Sequence, residues 1–230
     1  SKSDNFNYKP KPKTKLKHLV TRSRYRETLL SHLMRPFELG ADLIFHSATK
    51  FLGGHGVAIG GLVVDSGKFD WEKSGKFPTL TEPYAGFHGM VFSEESTTAG
   101  FLLRARREGL RDFGAAMSPM NAFQILQGVE TLGLRMQRHV DNARKIVGFL
   151  AKHEAIESVA YPELDSHPDH ELAQKILPQG CGAVFSFSLK GGRAAGKRFI
   201  EALKVFSHLA NVGDAKSLVI HPATTTHYRM

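Results

Sequence analysis

Residues 41–61 read ADLIFHSATKFLGGHGVAIGG, and the order of residue types within them decides how the chain is read. An apolar run, Leu43 to Phe45, predicts a buried strand over 42–47. Ser47, Thr49 and Lys50 come next, and Gly53, Gly54 and Gly56 form a loop directly after them. A second strand is predicted over 57–65 with Gly60 and Gly61 at its middle. Paired glycines inside a strand mark a bulge or the close approach of another group, so something is expected to pack tightly there.

A lysine at a strand end, with hydroxyls just before it and glycine amides just after it, has the parts of a pyridoxal phosphate site. Such an amine can form a Schiff base when burial and nearby positive charge lower its pKa, and the cofactor then serves as an electron sink. Short hydroxyls at Ser47 and Thr49 lie close enough to the backbone to donate to a phosphate. The same spacing also suits an ordinary surface lysine, and on these residues alone both readings stand. Nucleotide loops do not fit. The dinucleotide fingerprint needs a glycine where Ile59 stands, and the phosphate loop needs Ser or Thr after Gly67 and Lys68, where Phe69 stands.

Outward from this stretch the composition is that of a globular protein, with 41% hydrophobic and 23% charged residues in 230. The net charge of +9 is concentrated in residues 1–32, where nine Lys and Arg stand against Asp4 and Glu27. That segment, with its KPKPKTKLK run, has no folding periodicity and is expected to be an extended or disordered basic arm. It lacks the interleaved aromatics of a base-stacking surface, so a nucleic-acid role is not expected. No apolar span suits a membrane helix and no signal-type N-terminus is present, which makes the cytoplasm the expected compartment. The lone Cys181 is read as a small core residue.

Residues 36–40 predict a short turn or helix ending at glycine. The loop-rich stretch 66–96 carries aromatic anchors at Phe69, Trp71, Phe77, Tyr84, Phe87 and Phe92, as functional or interface loops do. An arginine-bearing helix is predicted over 101–113, its arginines read as a solvated face with a partner subunit as the alternative. A longer helix should start at Ser118 as N-cap with Pro119 in the first turn, break near Gly133 and run to about His153. Val140, Ala143, Ile146, Val147 and Leu150 share one stripe of it. Strands are predicted at 156–161, 182–189, 205–209 and 218–221, with helices at 171–176 and 194–203, an alternation that argues an α/β or α+β fold. His46 and His55 are read as packing or hydrogen-bonding residues, and His167 and His170 as part of a solvated turn with no metal site.

The stretch MRPFELGADLIFHSATKFLGGHGVAIGGLVVD, residues 34–65, resembles the cofactor-lysine signature of the Cys/Met-metabolism family of pyridoxal phosphate enzymes. GKFDWEKSGKFPTLTEPYAGFHGMVF, LRDFGAAMSPMNAFQILQGVETLGLRMQRH and LANVGDAKSLVIHPATTTH extend the resemblance from about Leu33 to Met230. It implies part of a fold type I, aspartate aminotransferase-like α/β large domain over 33–130 and an α+β C-terminal domain over 131–230, preceded by a non-family segment, 1–32. Lys50 would be the Schiff-base lysine and the proton-shuttling base, Ser47 and Thr49 would hold the phosphate, and Asn211 would face the substrate carboxylate. The implied reaction is γ-replacement on O-acetyl-L-homoserine by sulfide or a thiol, giving homocysteine and acetate, in an enzyme that is a homotetramer when complete.

Tyr25 occupies the place where relatives carry the aspartate that pairs with the cofactor's pyridine nitrogen, and the substrate-clamping arginine is expected beyond His227. The chain is therefore expected to be an incomplete enzyme that does not turn over alone. Two other readings remain open. One is a carbon–sulfur lyase or cystathionine γ-synthase of the same family, and the other is a noncatalytic α/β module whose basic arm binds a polyanion.

Overall fold

A computed structural model describes residues 33–229. The expectation for the basic arm, and Tyr25 with it, lies outside these residues. Pro36–Leu39 form a single helical turn closed by Gly40 in the left-handed conformation, φ 89°, as the sequence predicts. Strand β1, Leu43–Ser47, then pairs antiparallel with β2, Gly61–Asp65, in the register Leu43 to Asp65 through Ser47 to Gly61.

Two expectations for this hairpin are corrected. Strand β2 begins only at Gly61, and the preceding 57–60 stretch is irregular. A Cβ on Gly60 would stand 2.6 Å from Ile125 Cδ1 and 2.7 Å from Met117 Cε, so neighbouring side chains pack directly on its backbone. The tight approach that the glycine pair announced is present, but it lies outside the strand. The hairpin is also more open than a buried strand, with Phe45 58% exposed and Leu62, Val63 and Val64 exposed along β2.

Between the strands, Ala48–Leu52 form one wide helical turn, closed by the Gly53 amide donating to the Ala48 carbonyl at 2.9 Å. Lys50 is therefore not at a strand end. It sits inside this turn with non-helical backbone angles, φ −88° and ψ −124°.

The aromatic stretch folds into three short helices, α1 (Trp71–Ser74), α2 (Pro78–Thr81) and α3 (Phe92–Glu95). Trp71, Leu80 and Phe92 form its buried centre, ringed by Phe69, Phe77, Tyr84, Phe87 and Phe101. Helix α4 (Gly100–Arg104) continues into a wide helical segment, Ala105–Asp112. Arg104 ion-pairs with Glu108 at 2.8 Å and lies over the Tyr84 ring, while Arg111 lies 4.4 Å from the centroid of Phe87. These arginines cap the aromatic cluster by cation–π contact, which a purely solvated face would not do.

Helix α5 (Pro119–Glu130) follows Ser118 and carries Pro119 in its first turn, and α6 (Leu132–Leu150) follows after a break at Thr131. The Ser118 side chain makes no capping hydrogen bond. On α6 the predicted stripe is buried at Val140, Ala143, Val147 and Leu150, with Met136 added at its N-terminal end.

Strands β3 (Ile156–Ala160) and β4 (Ser186–Leu189) pair antiparallel across an irregularity between Ile156 and Ser158. Helices α7 (His170–Ile176) and α8 (Gly192–Ala202) flank them in sequence. Strands β5 (Ser207–His208) and β6 (Leu218–Val219) form a short parallel pair. The four strands predicted over this part of the chain thus appear with narrower bounds. Cys181 packs against the cluster of Ala143, Val147 and Tyr161, and burial, aided by the Glu163 charge, pushes its thiol up to about 11. It is the inert small residue expected of it.

Candidate functional site

The lysine turn is held from three directions. From β2's side, the Thr49 amide and hydroxyl meet the backbone of Gly60, whose amide donates to Thr49 Oγ1 at 3.1 Å and whose carbonyl accepts from the Thr49 amide at 3.3 Å. From below, Ala48, Phe51 and Leu52 are buried at 0%, 1% and 8% exposure, Phe51 against Met136 and Val140, and Ala48 and Leu52 against Ile125. From the C-terminal part of the chain, Asn211 Oδ1 accepts from Lys50 Nζ at 2.6 Å, and the Ala215 amide donates to the Gly54 carbonyl at 2.8 Å.

The sequence candidates Lys50 and Asn211, 161 positions apart, are thus side by side. Ser47 closes β1 and leads into the turn, one residue before Ala48. Thr49 lies beyond it, its hydroxyl engaged with Gly60. His46 is partly buried, which lowers its pKa and keeps its ring neutral near neutral pH.

The glycines are spaces for neighbours. Gly54 and Gly56 have positive φ, 74° and 65°. A Cβ on Gly54 would collide with the Arg135 guanidinium, 2.3 Å from Nη1, and one on Gly56 would lie 2.9 Å from Asp214 Oδ2 and 3.4 Å from Asn211 Nδ2. On α5, a Cβ at Gly128 would stand only 2.1 Å from the Gly53 carbonyl oxygen.

Four residues around the site escaped the sequence reading: Arg135, His139, Gly213 and Asp214. Arg135 Nη1 donates to the Phe51 carbonyl at 2.9 Å, Nη2 to the Leu52 and Gly128 carbonyls at 3.3 and 2.5 Å, and Nε to Thr131 Oγ1 at 3.1 Å. Burial lowers its pKa. His139 sets its ring edge-on to Phe51, centroids 5.7 Å apart, and is held neutral by burial and then by the Arg135 charge, with Asp214 opposing. A signal for both was present. With Leu132 and Met136 they sit on the buried side of α6 at spacings of three and four, polar residues on an otherwise apolar stripe. Among the described residues no group of three or more His, Cys, Asp or Glu is arranged to hold a metal. His170, one of the histidines with metal-like spacing, bonds the Pro162 carbonyl and the Gln174 side chain.

The donor set fits pyridoxal phosphate: a primary amine held by one amide oxygen, with hydroxyls one and three residues ahead of it. The comparisons with known proteins agree. A homocysteine synthase of Schizosaccharomyces pombe is 52% identical over 86% of this chain and 47% of its own length. An O-acetyl-L-homoserine sulfhydrylase of Leptospira meyeri is 50% identical with the same coverages. The chain therefore spans about half the length of the curated relatives it matches, 47%.

Among solved structures, an O-acetylhomoserine (thiol)-lyase of Campylobacter jejuni, which contains a pyridoxyl-lysine monophosphate, superposes with a TM-score of 0.82 at 34% identity, over 86% of this chain and 47% of that one. A cystathionine γ-synthase of Xanthomonas oryzae gives 0.63 at 33% identity, over 86% and 43%. The fold is that of the fold type I pyridoxal phosphate enzymes. Residues 27–230 match the model of the Cys/Met metabolism PLP-dependent enzymes, and the chain belongs to that family.

Proposed function

We propose that the chain is the lysine-bearing part of an enzyme that replaces the acetate of O-acetyl-L-homoserine with sulfide or a thiol. With sulfide the C–O bond at Cγ breaks, a C–S bond forms there, and the products are homocysteine and acetate. The observation that carries this reading is the Lys50–Asn211 pair at 2.6 Å, which joins the amine of the wide turn to the C-terminal segment. The names of the relatives at about half identity supply the substrate class.

Pyridoxal phosphate, when bound at Lys50, supplies the electron sink that makes a carbanion at the substrate accessible. Lys50 Nζ anchors it and moves protons between substrate carbons, since a leaving group at Cγ requires deprotonation at two carbons. Ser47 and Thr49 hold the phosphate from the start of the turn. Asn211 keeps the amine oriented through Oδ1 and presents its amide to the substrate carboxylate. In this reading residues 33–130 belong to the large domain and 131–230 to the smaller C-terminal one, and the complete enzyme is a cytoplasmic homotetramer.

The test is optical. Mixing the purified chain with pyridoxal phosphate should produce the visible absorption of lysine-bound cofactor, and Lys50→Ala should abolish it. Retention of that absorption in Lys50→Ala would sink the assignment of the lysine. Full-length protein assayed with O-acetylhomoserine and sulfide should release homocysteine. Release of a 2-oxoacid and ammonia instead would favour a lyase of the same family, and product from cysteine but not sulfide would favour the cystathionine γ-synthase reading, which the second solved structure also supports.

A further inference from the structure

We propose that Arg135 is a positioning residue for Lys50: its guanidinium fastens the two carbonyls that follow the lysine, Phe51 and Leu52, to the first turn of helix α6 and, through Gly128, to the end of α5, and so fixes the direction in which the amine leaves the turn. The inference rests on the reading of Lys50 as the cofactor lysine.

Three observations carry it. First, the guanidinium is spent on neutral acceptors. It donates to the carbonyls of Phe51, Leu52 and Gly128 and to the Thr131 hydroxyl, and no carboxylate pairs with it among the bonds it makes. Burying a cation without a counter-ion is costly, and an apolar residue in its place is commonly neutral or better for stability. What a planar fork does that an apolar residue cannot is hold several carbonyls in one geometry.

Second, the turn needs holding. A wide turn leaves the carbonyls at its end short of helical donors, and Lys50 departs from helical angles at φ −88°, ψ −124°. Cations are also favoured at the C-terminal end of a helical segment, where carbonyls carry partial negative charge.

Third, the niche is built by absent side chains. A Cβ on Gly54 would overlap the guanidinium, with Cζ at 2.5 Å, and one on Gly128 would stand 2.5 Å from the Leu52 carbonyl oxygen that the guanidinium binds and 2.1 Å from that of Gly53. Two glycines thus clear the path between Arg135 and the backbone one and two residues past Lys50.

The experiment incubates the full chain with pyridoxal phosphate, reduces with borohydride, and measures by peptide mass spectrometry the phosphopyridoxyl label on Lys50 relative to exposed lysines such as Lys197. Because misplacing a reacting group costs on the order of tenfold to a hundredfold, Arg135→Gln should lower the Lys50-to-surface ratio by about tenfold or more. Arg135→Lys should recover only part of it, since one ammonium cannot span the same carbonyls. Thr131→Val, a milder change that frees Nε, should shift the ratio a few-fold in the same direction, and it carries the test if Arg135→Gln does not fold. Arg144→Gln, which breaks an ion pair with Glu163 further along the same helix, should leave the ratio unchanged.

An unchanged ratio in folded Arg135→Gln and Thr131→Val would overturn the proposal while leaving Lys50 as the cofactor lysine. An equal loss in Arg144→Gln would overturn it too, by making the effect one of general stability. Absence of preference for Lys50 in the unaltered chain would overturn the cofactor reading itself, and this inference with it.

Discussion

Phe45 and Phe51 lie six positions apart around the same lysine signature, yet Phe45 on β1 is 58% exposed and Phe51 in the lysine turn is 1% exposed. Both sit in apolar runs, so hydrophobicity does not separate them. Phe51 points onto α6, against Met136 and Val140. The hairpin carries the continuous apolar runs LIF and LVV, the pattern of strands that are covered on both faces, and among the described residues that cover is thin. The turn is finished by this chain, and the hairpin is less so.

The sharpest way to test that contrast is to truncate each ring. Phe51→Ala should cost about 3–5 kcal/mol, the range for emptying a well-packed core site, whereas Phe45→Ala should stay within about 0.5 kcal/mol, as exposed positions do. Urea unfolding of the two variants measures both, and comparable losses would erase the distinction. Gly128→Ala should come next, at about 1–3 kcal/mol, because the new Cβ meets backbone oxygen at 2.1 Å that has no rotamer with which to yield. The matching change on the hairpin side, Gly61→Ala, faces only the His46 carbonyl at 3.4 Å and should be nearly silent in the same assay.

The smallest effect expected is one of pH. His139 is held below its ordinary pKa by burial and by Arg135, so the folded state binds fewer protons there than the unfolded chain. Stability from this group is full above about pH 6.5 and is lost as pH falls toward the folded-state value. His139→Phe keeps a ring against Phe51 and removes the titration, so its thermal midpoint should fall less than that of the unaltered chain between neutral and mildly acid pH. Parallel curves would show that the imidazole is not buried as described.

The presence of two strands around the lysine, the turn at Gly40, the helix start at Pro119 and the break between α5 and α6 were all legible, because each rests on local signals: periodicity, glycine and proline. The bounds of β2 were not. Gly60 leaves the strand because Ile125 and Met117 pack on it, and no local pattern contains that contact. Lys50 was legible as a residue and misread as a position, since a wide turn follows the strand where the sequence suggests only its end. Arg135 and His139 went unnoticed because polar residues on a helix ordinarily face water, and the Phe51 and Leu52 carbonyls that Arg135 binds, like the Phe51 ring that His139 meets, come from a segment over eighty positions away.

The sequence by itself determined the family, through several long stretches in one order, and with it the candidate lysine and its cofactor. Hydroxyls, amine and glycines in a fixed local order are a chemical statement that needs no coordinates. Only the tertiary structure decided what surrounds the amine: Asn211 at 2.6 Å from Nζ, and a guanidinium threaded through two glycines to the carbonyls behind it. Those contacts depend on where α5, α6 and the 211–215 segment come to rest, and that is set by packing between distant elements.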